Sequence, residues 1–397
     1  MTFRKIYHGL TLLVLAVCAV MLQACSDDPD PVPPQQTCPT TVLVYMAARN
    51  SLGSNGYDAK DMQEMSAAVS RGDLQGGRLL VYRASADGTT MLSELTPDGM
   101  KVVADYGKSA LLSVHGERMA DVIAKAKAYA PSQRFGLVLW SHASGWLQNG
   151  IDDPAYPAEQ PGKRRSWGDE GGRYMNVTTL ARVLETAKPD WVWFDCCLMA
   201  NVETLYELRR ATPTIVASSI ELPPNGMPYD LTLRHLFRPS GSDLESAARA
   251  TYGYYRDGAG DDGRRDCALT VVNTDALEAL ATVTGDVYAA APKLVPDGYN
   301  PRYLTLSNRY YADMEHYVKA LCATAPGGEA LQQAWQTAFD NVVKYSESTP
   351  NLKKKLGIAD DTSCAISTYI YQNAQEAGRK NYGELEWPYR TGVLNAD

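Results

Sequence analysis

The chain of 397 residues contains no CxxC pair, no HExxH and no Walker-type phosphate loop. Their absence excludes a zinc ribbon, an HExxH metallopeptidase and a P-loop enzyme by their local signatures. Basic residues are outnumbered, 38 Lys and Arg against 46 Asp and Glu, for a net charge of −8. No basic stripe exists to displace counterions from phosphates, so nucleic acid is not an expected partner. Eight cysteines are too few for a disulfide scaffold. A GxGxxG match at Gly258, Gly260 and Gly263 precedes a strand, opens no helix and is filled with acidic residues, so it is not a nucleotide site. No internal repeat is evident. What is present is 45% hydrophobic and 21% charged residues, the composition of a folded chain with enough length to bury a substantial α/β core.

Residues 1–24 read as a signal peptide: Arg4 and Lys5 precede a short apolar run over 10–22, too short to span a bilayer comfortably. The run ends in Leu22, Gln23, Ala24 and Cys25, which resembles a bacterial lipoprotein box, and the resemblance implies lipidation of Cys25. Residues 25–40 are rich in Asp, Pro and Gln and read as a flexible tether. Its acidic start, Ser26-Asp27-Asp28, also resembles the surface-export signals of Bacteroidetes lipoproteins. These features predict a cell-envelope location, lipid-anchored to the outer membrane and facing outward.

From residue 41 to 397 one larger domain-sized body follows, with a C-terminal extension beyond its strand-and-helix series. Apolar, β-rich runs at 41–46, 79–82, 135–140, 191–194 and 214–217 read as buried parallel strands. Helical spacing falls between them, at 57–70, 116–130, 177–187 and 198–208. A further strand at 267–272 followed by a helical run reads as another unit of the same kind. The alternation predicts an α/β/α sandwich with a mostly parallel sheet. Residues 147–175, rich in Asp, Pro and Gly, read as one long loop of the kind that is usually functional or disordered.

Chemistry in such sheets gathers at the carboxyl ends of strands. One strand runs into Ser141-His142-Ala143-Ser144-Gly145-Trp146, another into Asp195-Cys196-Cys197-Leu198-Met199. Of five histidines, His8 lies in the signal, and His115, His235 and His316 fall beside or within expected helices. His142 is therefore the best placed to pair with a strand-end cysteine. WSHASGW and FDCCLMANVE, in this order, resemble the paired signatures of clostripain-family cysteine peptidases, and the likeness begins at YMAARNSL. The family has a caspase-like fold.

The resemblance implies roles residue by residue. Cys197 matches the nucleophile, and His142 matches the histidine that handles protons. Backbone N–H groups of Cys197 and Ala143 would hold the oxyanion. The family usually has glycine at 143, and alanine would be strained there if φ were positive. Asp195 matches the aspartate lining the pocket for an Arg or Lys before the cut bond. That role gives reason to a carboxylate that otherwise opposes thiolate formation. Asn225 stands where relatives with strong basic preference tend to carry aspartate, which weakens the case for basic specificity. Lys163, Arg164 and Arg165 lie where family members often cut themselves, although a solvated basic patch explains them equally well.

Cys196 is expected to be buried and inert. Cys38, Cys267, Cys322 and Cys364 read as core residues or occasional disulfide partners. The acidic run at 257–266 could suggest calcium, but its spacing is not an EF-hand, and no cofactor is expected. The chain thus reads as a monomeric cysteine endopeptidase acting on protein or peptide substrates. Two alternatives stand beside it: a silent binding lipoprotein on the same fold, and an active relative with non-basic specificity.

Overall fold

Along the first strand, β1 (Cys38–Ala47), every side chain from Val42 to Ala47 is fully buried, and alternate residues enter different cores. Leu43, Tyr45 and Ala47 join one cluster, and Val42, Val44 and Met46 join the other. That is why a parallel central strand reads as an unbroken apolar run: period-2 alternation delivers side chains to two covered faces. The computed structural model describes residues 37–108, 111–147, 166–258, 265–305, 310–371 and 382–395. The described body lies within one compact unit, Thr37–Asp397.

The sheet continues with β2 (Arg78–Ala84), β3 (Thr90–Thr96), β4 (Gly99–Asp105) and β5 (Ser132–Trp140). A small hairpin, β6 (Trp167–Glu170) and β7 (Arg173–Met175), stands apart from it. Then come β8 (Trp191–Asp195), β9 (Thr214–Ala217) and β10 (Ala268–Asn273). After the short pairing strand β11 (Tyr311–Asp313), β12 (Val343–Ser348) completes the main sheet and β13 (Ser367–Tyr369) pairs with β11. The spatial order is β12-β10-β9-β8-β5-β1-β2-β3-β4. The five central strands, β9 to β2 in that order, are mutually parallel. An antiparallel pair extends each edge.

The helices near the site are α1 (Ser51–Ser54), α2 (Tyr57–Ser70), α3 (Gly116–Tyr129), α4 (Val177–Ala187), α5 (Val202–Glu207), α6 (Tyr229–Leu236) and α7 (Leu244–Arg256). Met65 and Val69 of α2, Leu233 and Leu236 of α6 and Ala247 of α7 pack on one face of the sheet. Val122 of α3, Leu180 and Leu184 of α4 and Leu205 of α5 pack on the other. The mostly parallel α/β/α sandwich is therefore as the sequence predicts.

Four local expectations change. The strand at 267–272 is present as β10 but runs antiparallel to β9. Two helices, α6 and α7, separate them, so the chain makes an even number of passes and re-enters from the end it left. The β3–β4 hairpin went unread, although Pro97, Asp98 and Gly99, the last at φ +117°, form its turn. Residues 198–201 are not helical. Leu198 is left-handed at φ +62°, and α5 starts only after Asn201, whose Oδ1 accepts the Thr204 N–H at 2.8 Å. Within the expected 147–175 loop, residues 167–175 instead form the β6–β7 hairpin, with Trp167 fully buried.

Candidate active site

Strands β5 and β8 are parallel neighbours in a register that pairs Trp140 with Asp195. His142 and Cys197 each lie two residues beyond that pair, so both loops leave the sheet at one level. Both residues line a cavity of about 200 Å³, together with Leu52, Trp140, Asp195 and Gly226. Each is half-buried, within reach of both the protein interior and an entering chain.

The histidine loop is held from two sides. Gly168 N–H donates to His142 C=O at 2.9 Å, and Ser144 N–H donates to Ser166 C=O at 2.9 Å. These bonds flank a bridge between Ala143 and Trp167, a non-hydrogen-bonded pairing in which the Ala143 N–H points away from Trp167. Among the described residues the non-glycine positive φ angles are at Gln75, Lys188, Leu198 and Cys364. Ala143 is thus free of the strain its side chain threatened. Gly145 does need its φ of +73°: a Cβ there would lie 2.3 Å from Asn201 Nδ2 and 2.5 Å from the Tyr311 hydroxyl. Tyr311 O–H donates to Ser144 C=O at 2.8 Å. Trp146 is packed edge-on by Tyr311 and Tyr369.

On the cysteine side, Leu198 N–H donates to Ile220 C=O and Ala200 N–H to Ser218 C=O, both at 2.9 Å. Cys197 Sγ lies 3.8 Å from Leu222 C=O, to which it can donate. Cys196 is buried in the core cluster at the cavity wall, and burial raises its thiol pKa well above the ordinary range. Cys38, Cys267, Cys322 and Cys364 are buried free thiols, so none of the four is a disulfide partner.

Asp195 is buried at the cavity's inner end. Met227 N–H donates to its Oδ1 at 2.8 Å and Tyr229 O–H to its Oδ2 at 3.0 Å. Burial pushes its pKa up to about 7, against the lowering effect of those two donors. Behind it stand two more carboxylates. Trp140 Nε1–H donates to Asp61 at 2.7 Å, and Tyr229 N–H donates to Glu64 at 3.0 Å. Burial raises both, Asp61 with added repulsion from Asp195 and Glu64, and Glu64, to about 7, with added repulsion from Asp230 and Asp195. Asn225 is buried between two cavity residues, Pro224 and Gly226, and its own Nδ2 has no partner among the described residues. Cys25 and the Lys163, Arg164 and Arg165 cluster lie outside the described residues, as does most of the 257–266 acidic run. No cluster of three or more metal-ligating side chains occurs among the described residues.

Sequence reasoning missed the β1 loop. Ser51 Oγ lies 2.8 Å from His142 Nε2, and Asn50 bridges the ends of β1, β5 and β6. Its signal was adjacency: β1 pairs directly with β5, so the loop leaving β1 must lie beside the histidine loop.

The fold and the comparisons with known proteins place the chain among the cysteine peptidases. Residues 44–370 match the model of the clostripain family, Peptidase_C11. A secreted C11 cysteine protease from Bacteroides thetaiotaomicron, solved with an irreversible peptide inhibitor, superposes with a TM-score of 0.72 at 25% identity, over 89% of this chain and 99% of that one. An inactive zymogen C11 protease from Parabacteroides distasonis gives a TM-score of 0.73 at 23% identity, over 90% and 99%. Curated proteins yield no match. The chain belongs to the clostripain family, with that family's caspase-like architecture, and is a hydrolase of the cysteine peptidase class.

Proposed function

We propose that Cys197 and His142 cut peptide bonds by acyl transfer, with Arg or Lys preferred before the scissile bond. The observation that carries this reading is the β5–β8 register, which sets both residues on one cavity beside the Asp195 carboxylate. The Cys197 thiol proton passes to His142 as sulfur bonds to the carbonyl carbon. The oxyanion is held by the N–H groups of Cys197 and Ala143; in support, the Ala143 N–H is not taken by its bridge to Trp167. The imidazolium then gives its proton to the departing amine as the C–N bond breaks. Water hydrolyses the thioester, its proton returning through His142, and the thiol is regenerated.

Basic preference draws support from Asp195, a buried carboxylate on the cavity wall whose hydrogen bonds come from the neutral Met227 N–H and Tyr229 O–H. The cavity's apolar walls, with Leu52, Leu222 and Pro223, favour the second reading, an active enzyme of non-basic specificity. The enzyme works as a monomer in one domain from residue 41. It is secreted by residues 1–24 and anchored by lipid on Cys25 through the 25–40 tether to the outer membrane; a neighbour in this family is itself described as secreted. Cutting at Lys163, Arg164 or Arg165 activates it, and a family neighbour is an inactive zymogen.

The test sets the chain and its Cys197→Ala variant against peptides differing only in the residue before the cut. Turnover after Arg or Lys that vanishes in Cys197→Ala is expected, with a new fragment boundary at 163–165. Turnover after apolar residues would move the choice to non-basic specificity. No turnover, even after the 147–175 segment is nicked by an added protease, would favour a silent binding lipoprotein.

A further inference from the structure

A third side chain meets the proposed pair. Ser51 Oγ is 2.8 Å from His142 Nε2, a normal hydrogen-bond distance. Ser51 opens a single helical turn, α1, whose cap Asn50 is saturated. Its Oδ1 accepts from Leu52 N–H at 2.9 Å and Gly53 N–H at 3.4 Å. Its Nδ2 donates to Ala47 C=O at 2.8 Å, Asp169 C=O at 2.9 Å and Ser141 Oγ at 3.2 Å. One buried-side amide thereby ties the end of β1 to the residue before His142 and to β6. Gly53 is part of the fit, because a Cβ there would lie 2.0 Å from Ala48 C=O. The serine is presented to the imidazole by a turn with little freedom to move.

We infer that Ser51 is a positioning residue for His142, accepting a hydrogen bond from Nε2–H and so assigning the proton exchange with Cys197 to Nδ1. This inference rests on the reading of His142 as the proton carrier. A serine hydroxyl suits the place because its lone pairs accept from Nε2–H both in the neutral ring and in the imidazolium. The bond strengthens when the ring is charged, so Ser51 stabilises the thiolate–imidazolium pair relative to the neutral pair. Among the described residues, the other titratable groups on the cavity are Cys196, Cys197 and Asp195, with Asp61 and Glu64 behind Trp140 and Tyr229.

The experiment compares wild type, Ser51→Ala, Ser51→Thr and Cys197→Ala in peptide turnover and in alkylation of Cys197 by iodoacetamide across pH, read by peptide mapping. Turnover forms a bell, bounded below by thiol ionisation and above by deprotonation of the imidazolium that protonates the leaving amine, whereas alkylation by the neutral iodoacetamide follows the thiolate and reads the acid limb alone. Loss of the acceptor in Ser51→Ala lowers the imidazolium pKa and raises that of the thiol. The bell is expected to narrow from both sides, kcat to fall about 10- to 100-fold and KM to hold. Ser51→Thr, which keeps the hydroxyl, restores the width. A lower rate at unchanged width would mean a merely structural role and overturn the inference, as would wild-type kinetics in Ser51→Ala beside a dead Cys197→Ala. Activity surviving in Cys197→Ala would overturn the underlying reading and this inference with it.

Discussion

Gly226 stands so close to Asp195 that a methyl group on it would lie 2.6 Å from Oδ1 and 2.9 Å from Oδ2. The glycine, at φ +58°, is held by a bond from Tyr255 O–H to its C=O at 2.6 Å. The next residue in the turn, Met227, donates its N–H to the same carboxylate. One turn therefore both grips Asp195 and leaves no room for a side chain against its carboxylate.

Replacing Gly226 by Ala strains the backbone and fills the approach to the carboxylate. Turnover of Arg and Lys peptides is expected to fall by a factor of about 100 or more, the result of losing a charge-assisted contact to a buried group. Alkylation of Cys197 by iodoacetamide, which needs no side-chain pocket, should change far less. Equal losses in both assays would mean that the turn supports the nucleophile and not the substrate.

The same carboxylate gives substrate binding a pH signature. Burial pushes the Asp195 pKa up to about 7, and a bound guanidinium or ammonium favours its ionised form. Binding a basic residue therefore releases a proton below pH 7. KM for an Arg peptide should fall as pH rises from 6 to 8, whereas Asp195→Asn should show a higher and flatter KM. A pH-independent KM in the wild type would remove Asp195 from the pocket.

How much of this could be read in advance follows from how locally each feature is encoded. The central strands were legible because both faces are covered and the runs are continuously apolar, as 42–47 shows. Cys197 and His142 were legible through their motifs and through strand ends. The antiparallel entry of β10 was not, because direction depends on how many helices intervene rather than on the strand's residues. Ser51 and Gly226 were also hidden. Each acts on a residue far away in sequence, across a contact made only after the sheet has assembled.

Several carboxylates are buried with raised pKa values: Asp195, Glu203 and Glu207 at about 7, Glu64 also about 7, and Asp313 at about 6. In each case burial is the largest cause. Between their unfolded values near 4 and these folded values, the native state holds more protons than the unfolded chain, so stability falls as pH rises. His235 and His316, both lowered by burial, act in the opposite direction through the range near 6, but they are two part-buried rings against five carboxylates. Denaturant unfolding should therefore give a higher midpoint at pH 5 than at pH 8. A midpoint that rises toward pH 8 would contradict the burial of these groups as carboxylates of raised pKa.

Glu203 allows a sharper test, because it fastens residues 367–369 to the loops that carry Cys197 and His142. Its Oε1 accepts Thr368 O–H at 2.9 Å and Tyr369 N–H at 2.8 Å, and Ser367 N–H donates to Ala200 C=O at 2.9 Å. Tyr369 in turn packs on Trp146, four residues after His142. Glu203→Ala leaves those donors unpaired beside a cavity and should cost about 3 kcal/mol or more. Glu203→Gln keeps an acceptor oxygen and the volume while removing the ionisation. It should cost far less at pH 8, or even stabilise there, and should flatten the decline in stability between pH 5 and pH 8. Equal destabilisation by Ala and Gln at pH 8 would mean that the charged carboxylate itself is what the C-terminal strand requires.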